Sequence, residues 1–276
     1  MLKDILVHIP SDDRTKSIID CAISLARDFG ADLDGLVRIY QSFNSTGGLA
    51  ISGIATAMIT RFDPALATAE AIQEQFEDAA KLAGISYSCK TICREAPAVL
   101  QSATEHSQLY SLVLVAQPDP AQPCNDDSLT ETLLLGSGRP LLVIPYIHRG
   151  SFAARRIVIC WDGGSAAARA VHDAMPFLHK ATAIDILVIN RDETATTHAP
   201  EALKDHLARR GLSANVHRLF SRTSDIRDVI LSFAADVSAD MLVMGGYGHS
   251  RLREQILGGV TRGMLQTLTV PALVSH

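Results

Sequence analysis

Short runs of Val, Ile and Leu recur along the chain, separated by stretches in which apolar residues return every three or four positions. In the second half, residues 157–161, 184–190, 215–220, 241–245 and 271–274 predict strands. Residues 165–179, 200–210, 225–237 and 251–268 predict helices. In the last of these, Leu252, Ile256, Leu257, Val260 and Met264 form the stripe of a helix laid on a sheet. In the first half, residues 5–9, 33–39, 87–92, 112–116 and 141–146 predict strands. Strands apolar on both faces that alternate with helices imply a parallel sheet covered on both sides. The pattern predicts an α/β protein of two tandem doubly wound parallel-sheet domains.

The two halves repeat one plan. DILVHIPSDD at 4–13 resembles RIVICWDGGS at 156–165, and RPLLVIPY at 139–146 resembles VPALVSH at 270–276. The opening runs lie about 152 residues apart, whereas Pro140 and Pro271 are 131 apart. The first copy therefore carries about twenty additional residues, and the Gly-, Ser-, Thr- and Ala-rich stretch 41–62 is predicted to be a loop insertion. The domains are expected at 1–148 and 154–276, joined near 148–154.

Composition narrows the partners. The 276 residues carry 25 Lys and Arg against 30 Asp and Glu, a net charge of −5, and 47% are hydrophobic. A phosphate-neutralising nucleic-acid binder carries a basic surplus, so no nucleic acid is expected. The apolar run in MLKDILVHIPSDD is too short for a signal-peptide core, and no stretch reaches the roughly 18 apolar residues of a membrane span. Cys21, Cys89, Cys93, Cys124 and Cys160 are an odd number without framework spacing, as in a reduced cytoplasmic protein. Cys89 and Cys93, with His8 and His106, make a poor zinc set and read better as small buried hydrophobes. His172 and His179 read as surface positions.

One constellation carries chemistry. In doubly wound sheets, ligands bind outside the carboxyl ends of the strands where the strand order reverses. Trp161-Asp162-Gly163-Gly164 ends one strand of the second half, and GGYGHSRLREQILGGVTR follows Met244 at the end of another. Gly245 and Gly248 would permit positive φ and close approach to a ligand. Amides in such a turn and at the next helix start would point at a phosphate, with donors from His249, Ser250 and Arg251. Gly258, Gly259, Val260 and Thr261 would offer a second approach. Asp162 could hold a ribose hydroxyl or the adenine amino group, or simply cap the next helix.

The ordered G-x2-G-x9-G of Gly245, Gly248 and Gly258, between Asp240-Met241-Leu242-Val243-Met244-Gly245 and the closing V-P-x-L-V strand, resembles the universal stress protein family. The two-copy layout is similar to its tandem members. The resemblance implies Rossmann-like domains that pair through their last strands as an intramolecular pseudo-dimer, with homodimerisation of the chain also open. It implies ATP, or ADP or AMP, with magnesium accompanying the nucleotide, and a stress-response role rather than dedicated catalysis. It places Asp162 near base and ribose, the backbone around Ile189 against adenine, and Met244, Gly245, Gly248 and Gly258 through Thr261 around ribose and phosphates. The alternatives are slow ATP hydrolysis, with His249 polarising a phosphate beside Asp162, and a structural module without nucleotide.

The sequence departs from the family pattern twice. Gly259 stands where the family places Ser or Thr after the third glycine, removing a hydroxyl–phosphate hydrogen bond of roughly 1.5–3 kcal/mol. Ser250 or Thr261 would have to compensate. In the first half, Leu112–Ala116 runs into Gln117-Pro118-Asp119-Pro120 without any G-x2-G, and Pro118, Pro120 and Pro123 supply no N–H. Asp12 is read as the equivalent of Asp162, and Gly136-Ser137-Gly138 as a remnant of the glycine cluster. The first half is expected not to bind nucleotide through phosphates.

Overall fold

A computed structural model describes residues 2–40, 64–118, 128–190, 199–221, 226–246 and 259–276. The insertion read at 41–62 and the segment from Tyr247 to Gly258 lie outside the described residues.

The first half comprises β1 (Asp4–Ile9), α1 (Thr15–Phe29), β2 (Asp32–Tyr40), α2 (Pro64–Ala83), β3 (Tyr87–Arg94), α3 (Ala96–Ser107), β4 (Leu112–Ala116), α4 (Leu129–Gly136) and β5 (Leu141–Ile144). The second half comprises β6 (Arg156–Cys160), α5 (Ser165–Asp173), α6 (Met175–Leu178), β7 (Ala183–Asn190), α7 (Pro200–Ala208), β8 (Asn215–Phe220), α8 (Ile226–Asp236), β9 (Met241–Gly245), α9 (Gly259–Thr267) and β10 (Ala272–Ser275). The helix expected over 165–179 is divided at Ala174. Pro176 lacks the N–H that a continuous helix would need and crowds the preceding turn, so α6 restarts with it in its first turn.

All ten strands form one sheet in the order β3-β2-β1-β4-β5-β10-β9-β6-β7-β8. Every pairing is parallel except the central one, where β10 runs antiparallel to β5 with Leu273 opposite Leu142. The order reads the same from either edge, so two doubly wound halves meet through their last strands as the resemblance implies. Along β1, Ile5, Val7 and Ile9 enter one apolar layer while Leu6 enters the other, because successive side chains leave opposite faces of a strand. Both layers cross the central seam. One holds Ile18, Ala22 and Leu25 of α1 together with Ala170 and Val171 of α5. The other holds Leu133 and Leu134 of α4 together with Met264 and Leu265 of α9.

The connection between the halves is docked on α1. Ser17 Oγ donates to the His148 carbonyl at 2.7 Å, and the Phe152 amide donates to Ser24 Oγ at 2.7 Å. The Phe177 ring meets Phe29 edge-on at 5.0 Å and Phe152 at 5.8 Å, joining α1, the connection and α6 in one aromatic cluster.

Candidate functional site

The strand order reverses between β6 and β9, since β6 leads to β7 on one side and pairs with β9 on the other. Asp162 follows the carboxyl end of β6, Gly245 ends β9, and Ile189 lies near the end of β7. Three residues far apart in sequence thus meet at the carboxyl ends of three adjacent strands.

Asp162 is held by a local turn. Its Oδ1 accepts the Gly164 amide at 2.8 Å, and Gly163 takes φ +74°, a conformation that glycine adopts without a Cβ penalty. This is an Asx turn and not a helix cap, since Gly164 is the N-cap of α5 and no side chain caps that helix; the turn fixes the carboxylate just ahead of α5. Beside it, burial and the Asp162 charge push the Cys160 thiol up to about 12, which keeps it protonated and unreactive at neutral pH. The Ile189 side chain packs half-buried against the second apolar layer, and Met244 is buried within it, so only the Met244 backbone is available at the strand end.

The glycines serve packing more than was expected. Neither Gly245 nor Gly246 takes a positive φ. A Cβ on Gly245 would fall 2.5 Å from the Ala167 amide nitrogen and 2.7 Å from the Ala166 carbonyl carbon. Its bare face accommodates the first turn of α5, not a left-handed turn. A Cβ on Gly246 would fall 2.8 Å from Leu134 of the first half and 3.0 Å from Val274. Gly246 donates its amide to the Ser275 carbonyl at 2.8 Å, and its own carbonyl lies 3.0 Å from His276 Nδ1. Nothing in the local sequence signals this contact between halves. Gly248, His249, Ser250 and Gly258 lie outside the described residues; Gly259, Val260 and Thr261 open α9 as described, with Thr261 half-buried.

The two halves can be overlaid by register. Ile5 pairs with Leu112 as Ile157 pairs with Met241, and His8 pairs with Leu36 as Cys160 pairs with Leu187. His8 therefore stands where Cys160 does, Arg38 where Ile189 does, and Ala116 where Gly245 does. Asp12 Oδ1 accepts the Arg14 amide at 2.9 Å, the same turn as at Asp162, three residues before the helix in each case. Strand positions differ by 152 and helix starts by 150, so the first-half turn is two residues longer. The Asp12 carboxylate differs in being ion-paired to the Arg14 guanidinium, which also donates to the Gln117 carbonyl. Gly136 and Gly138 are not a remnant of the glycine cluster. They lie at the carboxyl end of α4, with Gly138 at φ +66°, whereas the cluster of the second half precedes α9.

His8 and Arg38 are the residues that strand patterning alone overlooked. His8 is 1% and Arg38 5% exposed. Arg38 Nη1 donates to His8 Nδ1 at 3.0 Å, so the other ring nitrogen carries the proton and donates to Ser107 Oγ at 3.0 Å. Ser107 in turn donates to the Ala103 carbonyl at 2.7 Å. Burial, the Arg38 charge and His106 hold His8 well below its ordinary 6.5. Among the described residues no group of three or more His, Cys, Asp or Glu is placed to hold a metal, and no helix is long and apolar enough to cross a membrane.

Residues 153–276 match the universal stress protein family. No curated protein matches the sequence significantly. Among solved structures, the chain is similar to a universal stress protein from Archaeoglobus fulgidus, with TM-score 0.71 and 16% identity over 99% of this chain and 95% of that one. It is also similar to a functionally unknown protein from Pseudomonas aeruginosa, with TM-score 0.64 and 19% identity over 99% and 92% of the two chains. At these identities the likeness is one of fold. A universal stress protein in complex with cAMP matches 52% of this chain and 97% of its own, with TM-score 0.34 and 16% identity; the ligand belongs to that protein.

Proposed function

From a chain whose residues 153–276 belong to the universal stress protein family, and whose whole length has the fold of a solved member, we propose that the second half binds ATP or a related adenine nucleotide. The observation that supports this most is the meeting of Asp162, Ile189 and Gly245 at the reversal point of the strand order. In this reading Asp162 accepts hydrogen bonds from the ribose or the adenine amino group, and the backbone at Ile189 lies against the base. Gly248, His249 and Ser250, then Gly258, Gly259, Val260 and Thr261, surround the phosphates, with magnesium accompanying them. The domains divide at 1–148 and 154–276, and the first is degenerate for nucleotide. The protein acts in the cytoplasm as a binding and regulatory module of the stress response, not as a dedicated catalyst.

Trp161 is the single tryptophan and adjoins Asp162, so its fluorescence should report the titration. Calorimetry should find one ATP site per chain. Asp162→Ala should weaken binding about 10- to 100-fold, the loss of a charge-assisted hydrogen bond of roughly 1.5–3 kcal/mol. The absence of heat and of any fluorescence change with ATP, ADP or AMP would exclude the reading. Phosphate release abolished by His249→Ala would instead establish the hydrolase alternative.

A further inference from the structure

Gly246, the residue that follows β9, is held from three sides. It has no room for a side chain, because a Cβ would fall 2.8 Å from Leu134 and 3.0 Å from Val274. Glycine keeps more backbone freedom than any other residue, which is a cost where the chain must leave the sheet in one direction. The main chain removes part of that freedom, since the Gly246 amide donates to the Ser275 carbonyl at 2.8 Å. A side chain removes more. The Gly246 carbonyl lies 3.0 Å from His276 Nδ1, and a carbonyl only accepts, so that nitrogen carries the proton and donates it. Because a peptide unit is planar, holding the carbonyl also fixes the plane on which the chain continues beyond β9.

The donor stands on an anchored strand end. Its neighbour Ser275 is buried, and the Ser275 hydroxyl donates at 2.9 Å to Asp173 Oδ2 at the end of α5. The first half offers the comparison. By register Gly246 corresponds to Gln117 and His276 to Pro145. The Gln117 amide donates to the Ile144 carbonyl at 2.8 Å as the Gly246 amide does to Ser275, so the main-chain contact is common to both halves. The contact to the carbonyl is not. A proline has no N–H to give, and the Gln117 carbonyl accepts instead from Arg14, which precedes α1. The imidazole donor thus belongs to the half whose next residues are read as holding phosphates.

We propose that His276 is a positioning residue for phosphate binding in the second half, acting through the Gly246 carbonyl and not by touching the ligand. The inference rests on the nucleotide reading above and divides its labour. Asp162 and Ile189 serve the ribose and base, while His276 sets the direction from which Gly248, His249 and Ser250 reach the phosphates.

Calorimetry on the full chain, with ATP and adenosine compared, tests this. His276→Ala should weaken ATP about 5-fold, the worth of one hydrogen bond, and leave adenosine unchanged because adenosine carries no phosphate. His276→Asn sets an amide nitrogen where Nδ1 stood and should restore ATP affinity to within about 2-fold of the wild type. His276 is exposed, so both variants should fold, which the far-ultraviolet spectrum checks. Equal ATP affinity in wild type and His276→Ala would overturn the inference while leaving the nucleotide reading intact. An equal loss for ATP and adenosine, or no rescue by asparagine, would overturn it too, since either result marks a general structural role. If the wild-type chain takes up no ATP, the nucleotide reading falls and this inference falls with it.

Discussion

His8 is a titratable ring held neutral between a permanent cation and a serine hydroxyl. Its folded pKa lies below 6.5 while the unfolded chain retains the ordinary value, so below that value the unfolded state binds the extra proton. The contribution to stability is complete above about pH 6.5 and is lost as the pH falls beneath it. The half-buried His148, also lowered mainly by burial, acts in the same direction. We expect the denaturant midpoint to fall between pH 7 and pH 5.5. His8→Gln, which keeps an acceptor for Arg38 and a donor for Ser107, should flatten that fall. A second residue-scale prediction concerns the register equivalence of Ile189 and Arg38. Ile189→Arg should remove ATP binding in calorimetry while leaving the far-ultraviolet spectrum unchanged, since the position is half-buried at a strand end.

At the scale of elements, β9 and α5 are packed closely enough that a single methyl group matters. Gly245→Ala would set a Cβ against the backbone of Ala166 and Ala167, which cannot rotate away as a side-chain tip would. The expected loss is about 1–3 kcal/mol in denaturant unfolding, with or without nucleotide. This separates a packing role from a ligand role: a glycine needed only for the ligand would leave the apo protein unaffected. The division of α5 from α6 at Ala174 belongs to the same scale. It lets Phe177 turn toward Phe29 and Phe152, and Lys180 lie over the Phe29 ring at 4.3 Å.

At the scale of the molecule, the central β5–β10 pairing and two apolar layers that cross it make the halves one folding unit. Calorimetry should show a single transition with equal calorimetric and van't Hoff enthalpies. Phe177→Ala removes the ring shared by α1, the connection and α6, and should cost about 3–5 kcal/mol. If the halves are coupled, this variant lowers the one transition; a second transition emerging in the first-half region would show that they unfold separately.

Strand identity and the repeat were legible from the sequence, because apolar runs, helical periodicity and the order of motifs are local properties, whereas the meeting of the last strands was implied by the family resemblance. All ten strands lie within two residues at each end of the positions read from periodicity. The break at Ala174 was available in Pro176 and was outweighed by the apolar stripe around it. The reason for Gly245 and Gly246 was not available: their neighbours, α5 and Leu134, are brought to them by the chain returning across the sheet. The pairing of His8 with Arg38 likewise depends on register between β1 and β2, which no segment specifies by itself. Local chemistry decides what each segment becomes; which side chains then share a buried space is decided only when distant segments close on one another.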